Sequence, residues 1–318
     1  MLPVKRRTSH TMFFFYSLTG LSCAAFGQDN NCFVDAEGRQ WLLIQQPAAM
    51  ASASANSCSS VHAQSCLVND IVRQANLQQL CNHQNWRLPS RKQAVAAVQT
   101  LPRWRGVLAD WVWTSSPHSA NAQQQWRVNM VTGAVNAADR QSRQQVLLIN
   151  IEEGTPLGVK TAHCNNRNPR LPVTAPELQQ EGDGSTLLDP VHGLRWLRCS
   201  LGQRWDANQK TCTGSALGYS YDEAYMQAIQ LPGHWRLPSR AELELLVEER
   251  CWSPMIRLSD FPQTAPGWYW TADSDNTNPG HAWYIHFDLG GVYTTSKEDK
   301  GLIRLVSTAH DLCVEPPD

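Results

Sequence analysis

Two stretches of the chain alternate between apolar and polar residues. Trp126, Val128 and Met130 would share one face of an extended strand, with Arg127 and Asn129 on the other. At an offset of 157 positions, Trp283, Ile285 and Phe287 repeat the pattern, and Tyr284, His286 and Asp288 take the polar face. Trp111-Val112-Trp113-Thr114 and Trp268-Tyr269-Trp270-Thr271 predict the strand before each, and Gly133 and Gly290 mark matching turns. Val146–Ile149 and Ile303–Val306 read as the last strands. Between Val68 and Leu80 the apolar positions Val68, Ile71, Val72, Ala75 and Leu80 have helical spacing. Ser220-Tyr221-Asp222-Glu223 is a capping box that opens a helix carrying Ala224, Ala228 and Ile229.

One hexapeptide occurs twice without change. Trp86-Arg87-Leu88-Pro89-Ser90-Arg91 returns 149 positions later as Trp235-Arg236-Leu237-Pro238-Ser239-Arg240. Proline holds the preceding leucine extended. The serine after it is a preferred N-cap, with Gln93 or Glu242 three residues on to close a capping box. Helices are predicted over Arg91–Thr100 and Arg240–Glu249. Gly38–Leu43 and Gly193–Arg198 are the matching first strands. The offset grows from 149 to 157 through a longer loop around Cys251–Pro254 and Phe261-Pro262. The chain therefore reads as two copies of one unit: strand, helix, helix, then hairpins. The fold class is α+β. Residues 163–184, with Pro169, Pro172 and Pro176, read as a linker.

Composition changes the picture at the N-terminus and at the cysteines. Lys5, Arg6 and Arg7 precede an apolar run from Met12 to Phe26, and Ala25-Phe26-Gly27 offers small residues for cleavage. Residues 1–27 are expected to be a signal peptide, followed by a first domain over 28–162 and a second over 185–318. Without the leader there are 24 basic and 28 acidic residues, a net charge of −4. Residues 28–162 carry 11 basic and 8 acidic side chains, and residues 163–318 carry 13 and 20. Neither half has the clustered cationic stripe that nucleic acid needs. No later run is apolar enough to span a bilayer, so the membrane is met only through the leader.

Ten cysteines suit an oxidising compartment. Cys199 and Cys212 flank a short segment fit for a disulfide-closed hairpin, and Cys58 and Cys66 hold a comparable place in the first copy. Cys251 and Cys313 could tie the long loop to the C-terminal tail. Cys32, Cys81 and Cys164 remain, and an odd number of cysteines follows the leader. No Cys-x2-Cys pair supports zinc, so disulfides are the expected use.

The whole pattern resembles the Lcl C-terminal domain family, named for the C-terminal module of a collagen-like adhesin. The residues that carry the likeness are Gly193-x-x-Trp196, Trp235–Ser239, Tyr269-Trp270-Thr271, Ala282–Phe287 and Ile303–Val306. Arg198–Trp205 and Thr211–Gly214 are similar to it as well. The first copy departs from the family, with Leu147 where the second has Arg304. The resemblance implies two tandem C-type-lectin-like domains, disulfide-stapled, in an exported bacterial protein, periplasmic or secreted. It implies binding or adhesion to a glycan or to an envelope or surface protein. By analogy with lectin-like folds, Cys81 would pair with Cys164, leaving Cys32 over.

Candidate chemistry is sparse. Tryptophans at matched positions are expected in the core, and the unmatched Trp104 and Trp252 are candidates for the surface. The loop Asp273–Asn278 has oxygens that could hold calcium, but it lacks the glycine and terminal glutamate of an EF-hand and the Glu-Pro-Asn or Trp-Asn-Asp signature of calcium-dependent lectins. A solvated hairpin tip is the expected state, and no metal or cofactor is assigned. Motifs for metalloprotease, serine-hydrolase or phosphate-loop chemistry are missing, so no catalytic residue is assigned. The ligand-binding candidates are Asp273, Asp275, Asn276, Tyr284 and His286. The alternatives are a structural subunit of an envelope, pilus or secretion assembly and, more remotely, an enzyme like the sulfatase activators, which share a distantly similar fold.

Overall fold

The computed structural model describes residues 32–35, 38–44, 51–52, 68–100, 111–150, 164–288 and 290–308. The expected leader and Cys58, Cys66, Trp104 and Cys313 lie outside the described residues.

The helices start where the caps predict. Helix α1 spans Val68–Leu77 and buries Val68, Ile71 and Ala75. Helix α2 spans Arg91–Thr100. Ser90 N donates to Gln93 Oε1 at 2.8 Å, and Gln93 N returns to Ser90 Oγ at 3.2 Å. Helix α3 (Tyr221–Gln230) and helix α4 (Arg240–Leu245) each begin with a complete capping box, on Ser220/Glu223 and Ser239/Glu242. Each cap satisfies backbone donors that the first turn leaves open, a contribution of about 1 kcal/mol. Helix α4 is shorter than the predicted Arg240–Glu249. Its chain turns after Leu245 so that the buried Glu248 carboxylate can accept from Thr174 N and Ala175 N, each at 3.1 Å.

Six strands form one antiparallel sheet. In chain order they are β1 (Trp111–Pro117), β2 (Gln124–Asn129), β3 (Val135–Asp139), β4 (Trp268–Ser274), β5 (His281–His286) and β6 (Val292–Ser296). The spatial order is β4-β5-β6-β3-β2-β1. The two hairpin sets meet at β6 and β3, where Val292 pairs with Val135. These two valines occupy matching positions, 157 apart in sequence. The contacts around the sheet recur at the same offsets. Ser115 N donates to Pro89 O and Ala272 N to Pro238 O, both at 2.7 Å. Thr114 Oγ1 donates to Trp126 O at 2.8 Å, and Thr271 Oγ1 to Trp283 O at 3.0 Å.

Alternation decides which of two cores a side chain joins, and Trp270 and Ala282 enter the second of them, on the outer face beside Tyr221, Ala224 and Ala228. Trp126, Val128, Val135, Trp283, Ile285 and Val292 share the inner sheet face and are buried in one core with Ala94 and Val95 from α2, Leu243 from α4 and Leu246 just after it. Enclosing a side chain of this size contributes roughly 1.5–3 kcal/mol. Most matched tryptophans are core residues, as expected: Trp41, Trp86, Trp113, Trp126, Trp196, Trp270 and Trp283 are buried, whereas the matched pair Trp111 and Trp268 is only half-buried. Trp252 is only partly exposed and packs on the same core. It lies in a two-residue strand, Cys251–Trp252, paired with Asn166–Arg167.

Residues 164–184 are not a free linker. Besides the Asn166–Arg167 pairing, Gln179–Glu181 is an edge strand against Thr186–Asp189. Arg250 donates to Leu171 O and Pro169 O at 2.8 and 3.0 Å, which straps the proline-rich segment to the second half. Proline removes donors but leaves carbonyls, and here those carbonyls are used.

Among the described residues, three disulfides join Cys32 to Cys81, Cys164 to Cys251 and Cys199 to Cys212. The last closes the Arg204–Asp206/Thr211–Thr213 hairpin, as its spacing predicted. The other expectations are corrected. Cys32 is bonded, Cys81 pairs with it instead of Cys164, and Cys251 pairs with Cys164 instead of Cys313. The strap brings Cys164 beside Cys251, a closeness that sequence distance hides.

Arg304 replaces an apolar residue by a buried cation. Its guanidinium donates to Arg198 O at 2.7 Å and Thr264 Oγ1 at 2.8 Å and lies 4.5 Å over the Phe261 ring. Burial pushes its pKa down to about 10. Leu147, in the matching place, is simply buried.

Candidate binding face

Where the two hairpin sets join, α2 and α4 pack side by side over the inner sheet face. Arg91 opens α2 and is fully buried, its guanidinium 4.3 Å over the Trp126 ring. Arg240 opens α4 and lies 4.2 Å over Trp283. Their surroundings then differ. Arg91 reaches across to Glu244 of α4 through two hydrogen bonds, the Nη2–Oε2 one at 2.9 Å. The position matching Glu244 is Val95, so Arg240 has no such partner there. Arg240 instead donates to Thr132 O at 2.7 Å, while its backbone N donates to Asp273 Oδ2 at 2.6 Å. Beside the Arg91–Glu244 pair, Lys92 Nζ donates to Thr174 O at 2.9 Å and Leu245 O at 2.7 Å. Burial pushes its pKa down to about 8, against the pull of Glu249, Glu244 and Glu248. Burial likewise pushes Glu249 up. This cluster joins the halves and is enclosed, so it is architecture.

The five candidate residues fall into two places on the β4–β5 hairpin. Asp273, Asp275 and Asn276 are at its tip, while Tyr284 and His286 stand on the outer sheet face. Asp273 does structural work, capping the first backbone N–H of α4 as Ser116 Oγ caps that of α2 at 3.0 Å. Asp275 accepts from Thr277 N at 2.8 Å and Thr277 Oγ1 at 2.7 Å, which closes an Asx-type turn. Partial burial raises its carboxyl, but these bonds outweigh burial and hold it below the ordinary range. Asn276 is exposed at the tip. Among the described residues, no group of three or more His, Cys, Asp or Glu side chains is placed to hold a metal.

Tyr284 belongs to a row of aromatic rings across three strands. Trp268 of β4 lies 5.1 Å from Tyr284 of β5, and Tyr293 of β6 lies 6.1 Å from it on the other side. Edge contacts continue inward from Trp268 to Trp270 and Tyr221. Tyr293 is 37% exposed, the open end of the row. Its ring lies over Gly291, where an added Cβ would stand 2.1 Å from Tyr293 Cε2. Glycine thus lets the ring lie down on the sheet. His286 pairs with Trp268 across the strands, and its Nδ1 is buried without a hydrogen-bond partner. Burial lowers its pKa, partly opposed by Asp288.

The same outer face runs on into the first half, with different side chains. Arg127 of β2 donates through Nε to Asn136 Oδ1 of β3 at 2.8 Å and lies 4.5 Å over the Trp111 ring. Burial raises the Tyr293 phenol, and the Arg91 and Arg127 charges counter it.

Sequence reasoning named Tyr284 and His286 and placed Arg127 and Asn129 on the corresponding polar face. It missed Tyr293, Gly291 and Asn136. The signal was present: Gly290-Gly291-Val292-Tyr293 follows the turn, with the tyrosine in phase with Tyr284. What could not be seen was that β6 adjoins β3.

Comparison with curated proteins finds no match to this chain. A family model does match, that of the Lcl C-terminal domain, over residues 185–307. Residues 185–307 are thus similar to an Lcl C-terminal domain, and Trp268, Tyr284, His286 and Tyr293 all lie within that span.

Proposed function

We propose that this chain is an exported binding or adhesion protein, periplasmic or secreted, that recognises a glycan through the outer face of its six-stranded sheet. The observation that carries the reading is the row Trp268–Tyr284–Tyr293, tilted by 52° and 45° from ring to ring, which ends in the half-open Tyr293 ring over Gly291. Flat aromatic faces bordered by hydrogen-bond donors suit the apolar faces and hydroxyl edges of sugars. Three disulfides support an oxidising compartment, and among the described residues no helix is long and apolar enough to cross a membrane. Contacts that recur at offsets of 149 and 157 support descent of both halves from one C-type-lectin-like unit. The test is a glycan array probed with the purified, leader-free protein. Selective binding to sugars is expected, and a blank array sinks the reading.

A second reading, a structural subunit of an envelope or secretion assembly, has one observation in its favour. Helix α3 presents Met226 and Ile229 at 51% and 66% exposure, near the half-open Tyr225. Sedimentation of the purified protein, with and without reductant, tests for self-assembly. The sulfatase-activator alternative gains no support, because all six described cysteines are in disulfides.

A further inference from the structure

The geometry points to one composite sugar site per chain, built across the β6–β3 join, in which Arg127 and Asn136 of the first half complete the aromatic platform of the second. This rests on the glycan-binding reading and adds where the site lies, how many there are and which first-half side chains it needs.

The argument begins with what matches between the halves and what does not. On the inner face the matched positions keep their chemistry: Trp126 with Trp283, Val128 with Ile285, Val135 with Val292, Thr114 with Thr271. All of these are buried. At the centre of the outer face the matched positions diverge. Arg127 stands where the second half has Tyr284, Asn136 where it has Tyr293, and Asn129 where it has His286. Tyr284 is explained in part by packing, since with Trp268 it lies against a second core that includes Tyr221, Ala224 and Trp270, but Tyr293 is not part of that core. Two equal sites, one in each half, would need a stacking ring at Asn136, and there is none.

The divergent residues are brought together by the strand order. Val292 pairs with Val135 in antiparallel register, and continuing that pairing by one residue sets Gly291 beside Asn136. Tyr293 lies over Gly291, so its ring borders Asn136 and the Arg127 that Asn136 holds. The Asn136 amide and the Trp111 ring are among the contacts that hold Arg127, so its guanidinium is preorganised. A guanidinium offers only donors, and what faces it must offer acceptor oxygens. Tyr293 and Tyr284 offer ring faces. A ligand with an apolar face beside a row of acceptor oxygens fits both, and a sugar chain has that form. The oxygens could be hydroxyls or carboxylates, and the test separates the two.

The full leader-free protein is applied to an array of neutral and uronic-acid-containing oligosaccharides, and the best-bound sugar is then titrated by tryptophan fluorescence. Variants are Tyr293→Ala, Tyr293→Phe, Arg127→Ala and Arg127→Lys, each checked by thermal melting. The expected result is one sugar per chain, at least tenfold weaker binding for Tyr293→Ala and Arg127→Ala, and near-native binding for Tyr293→Phe. Arg127→Lys restoring binding only to acidic sugars would mark the oxygens as carboxylates, and loss on both classes would mark them as hydroxyls. Either pattern supports the composite site. Full binding by Arg127→Ala with loss in Tyr293→Ala overturns it and leaves a site in the second half alone. Two sugars per chain also overturn it. A wild-type protein that binds nothing on the array overturns the glycan reading itself.

Discussion

Arg91 and Glu244, 153 residues apart in sequence, form a two-bonded ion pair with neither side chain more than 1% exposed. The pair crosses from α2 to α4 and thus from one half of the chain to the other. Its mirror image is missing, because Val95 occupies the place of Glu244 in the first half. The join is therefore directional: α2 supplies the cations Arg91 and Lys92, and α4 and the turn after it supply Glu244, Glu248 and Glu249. Charges enclosed in this way add little net stability but discriminate against wrong arrangements, since a mismatched join would bury a charge alone.

Removing one partner should be costly. Glu244→Ala leaves the Arg91 guanidinium enclosed without its carboxylate and should destabilise the protein by about 3–5 kcal/mol. Replacing both residues by apolar ones of similar volume, as in Arg91→Met with Glu244→Leu, should cost much less. Urea unfolding of the three variants against wild type measures the difference. Equal losses for the single and the double replacement would show that the pair is not coupled across the join.

Lys92 gives the join a pH dependence. Its folded pKa is about 8 against 10.5 for the free side chain, because burial disfavours the ammonium. Between those values the unfolded chain binds more protons than the folded one. Stability contributed by this group must therefore rise as pH climbs from about 8 to about 10.5. Glu249 has the opposite sign. Burial raises its folded pKa, so the folded state holds the extra proton, and stability falls as pH rises from 4.5 through the folded value. Lys92→Met should flatten the alkaline limb of a stability–pH curve, and Glu249→Gln the acid-to-neutral fall. Unchanged limbs in chemical denaturation series would dismiss the assignment.

Local chemistry was readable and long-range adjacency was not. Ser90, Ser220 and Ser239 announced three helix starts because a cap is decided within four residues. The alternation around Trp126 and Trp283 named the inner face because side-chain direction in a strand has a period of two. The end of α4 was misjudged, since Glu248 leaves the helix to serve Thr174, a residue 74 positions away. The strap reads as a linker in one dimension because prolines signal an irregular path without saying what lies beside it. Tyr284 and His286 were found by alternation. Tyr293 was missed because nothing in a one-dimensional pattern sets β6 against β3.

The disulfide pattern is open to direct measurement. Non-reducing proteolysis and mass spectrometry should recover linked peptides for Cys32–Cys81, Cys164–Cys251 and Cys199–Cys212. Cys164→Ser should loosen the strap and cost roughly 2–4 kcal/mol, the usual range for a native bridge. Cys199→Ser acts on a loop of 13 residues and should cost somewhat less, because a shorter loop restricts the unfolded chain less. A linked peptide joining Cys81 to Cys164 would restore the pairing that lectin-like analogy suggests.

Gly291 should matter through Tyr293 rather than through the backbone. A methyl group there would overlap the tyrosine ring, with Cζ at 2.7 Å and the hydroxyl oxygen at 2.8 Å as well as the closer Cε2. Gly291 is buried beneath the ring, but the ring is half-open and can swing away, so Gly291→Ala should fold and lose about 1 kcal/mol of stability. It should nevertheless lose the flat platform. Carbon-13 labelling of the tyrosine rings reports this directly, since only the Tyr293 resonance should shift strongly. In sugar titrations the two changes should not add: Gly291→Ala placed in a Tyr293→Ala background should weaken binding no further, because the glycine acts only through the ring it supports. An additional loss in that background would mean that the glycine itself, or the strand pairing beside it, touches the ligand.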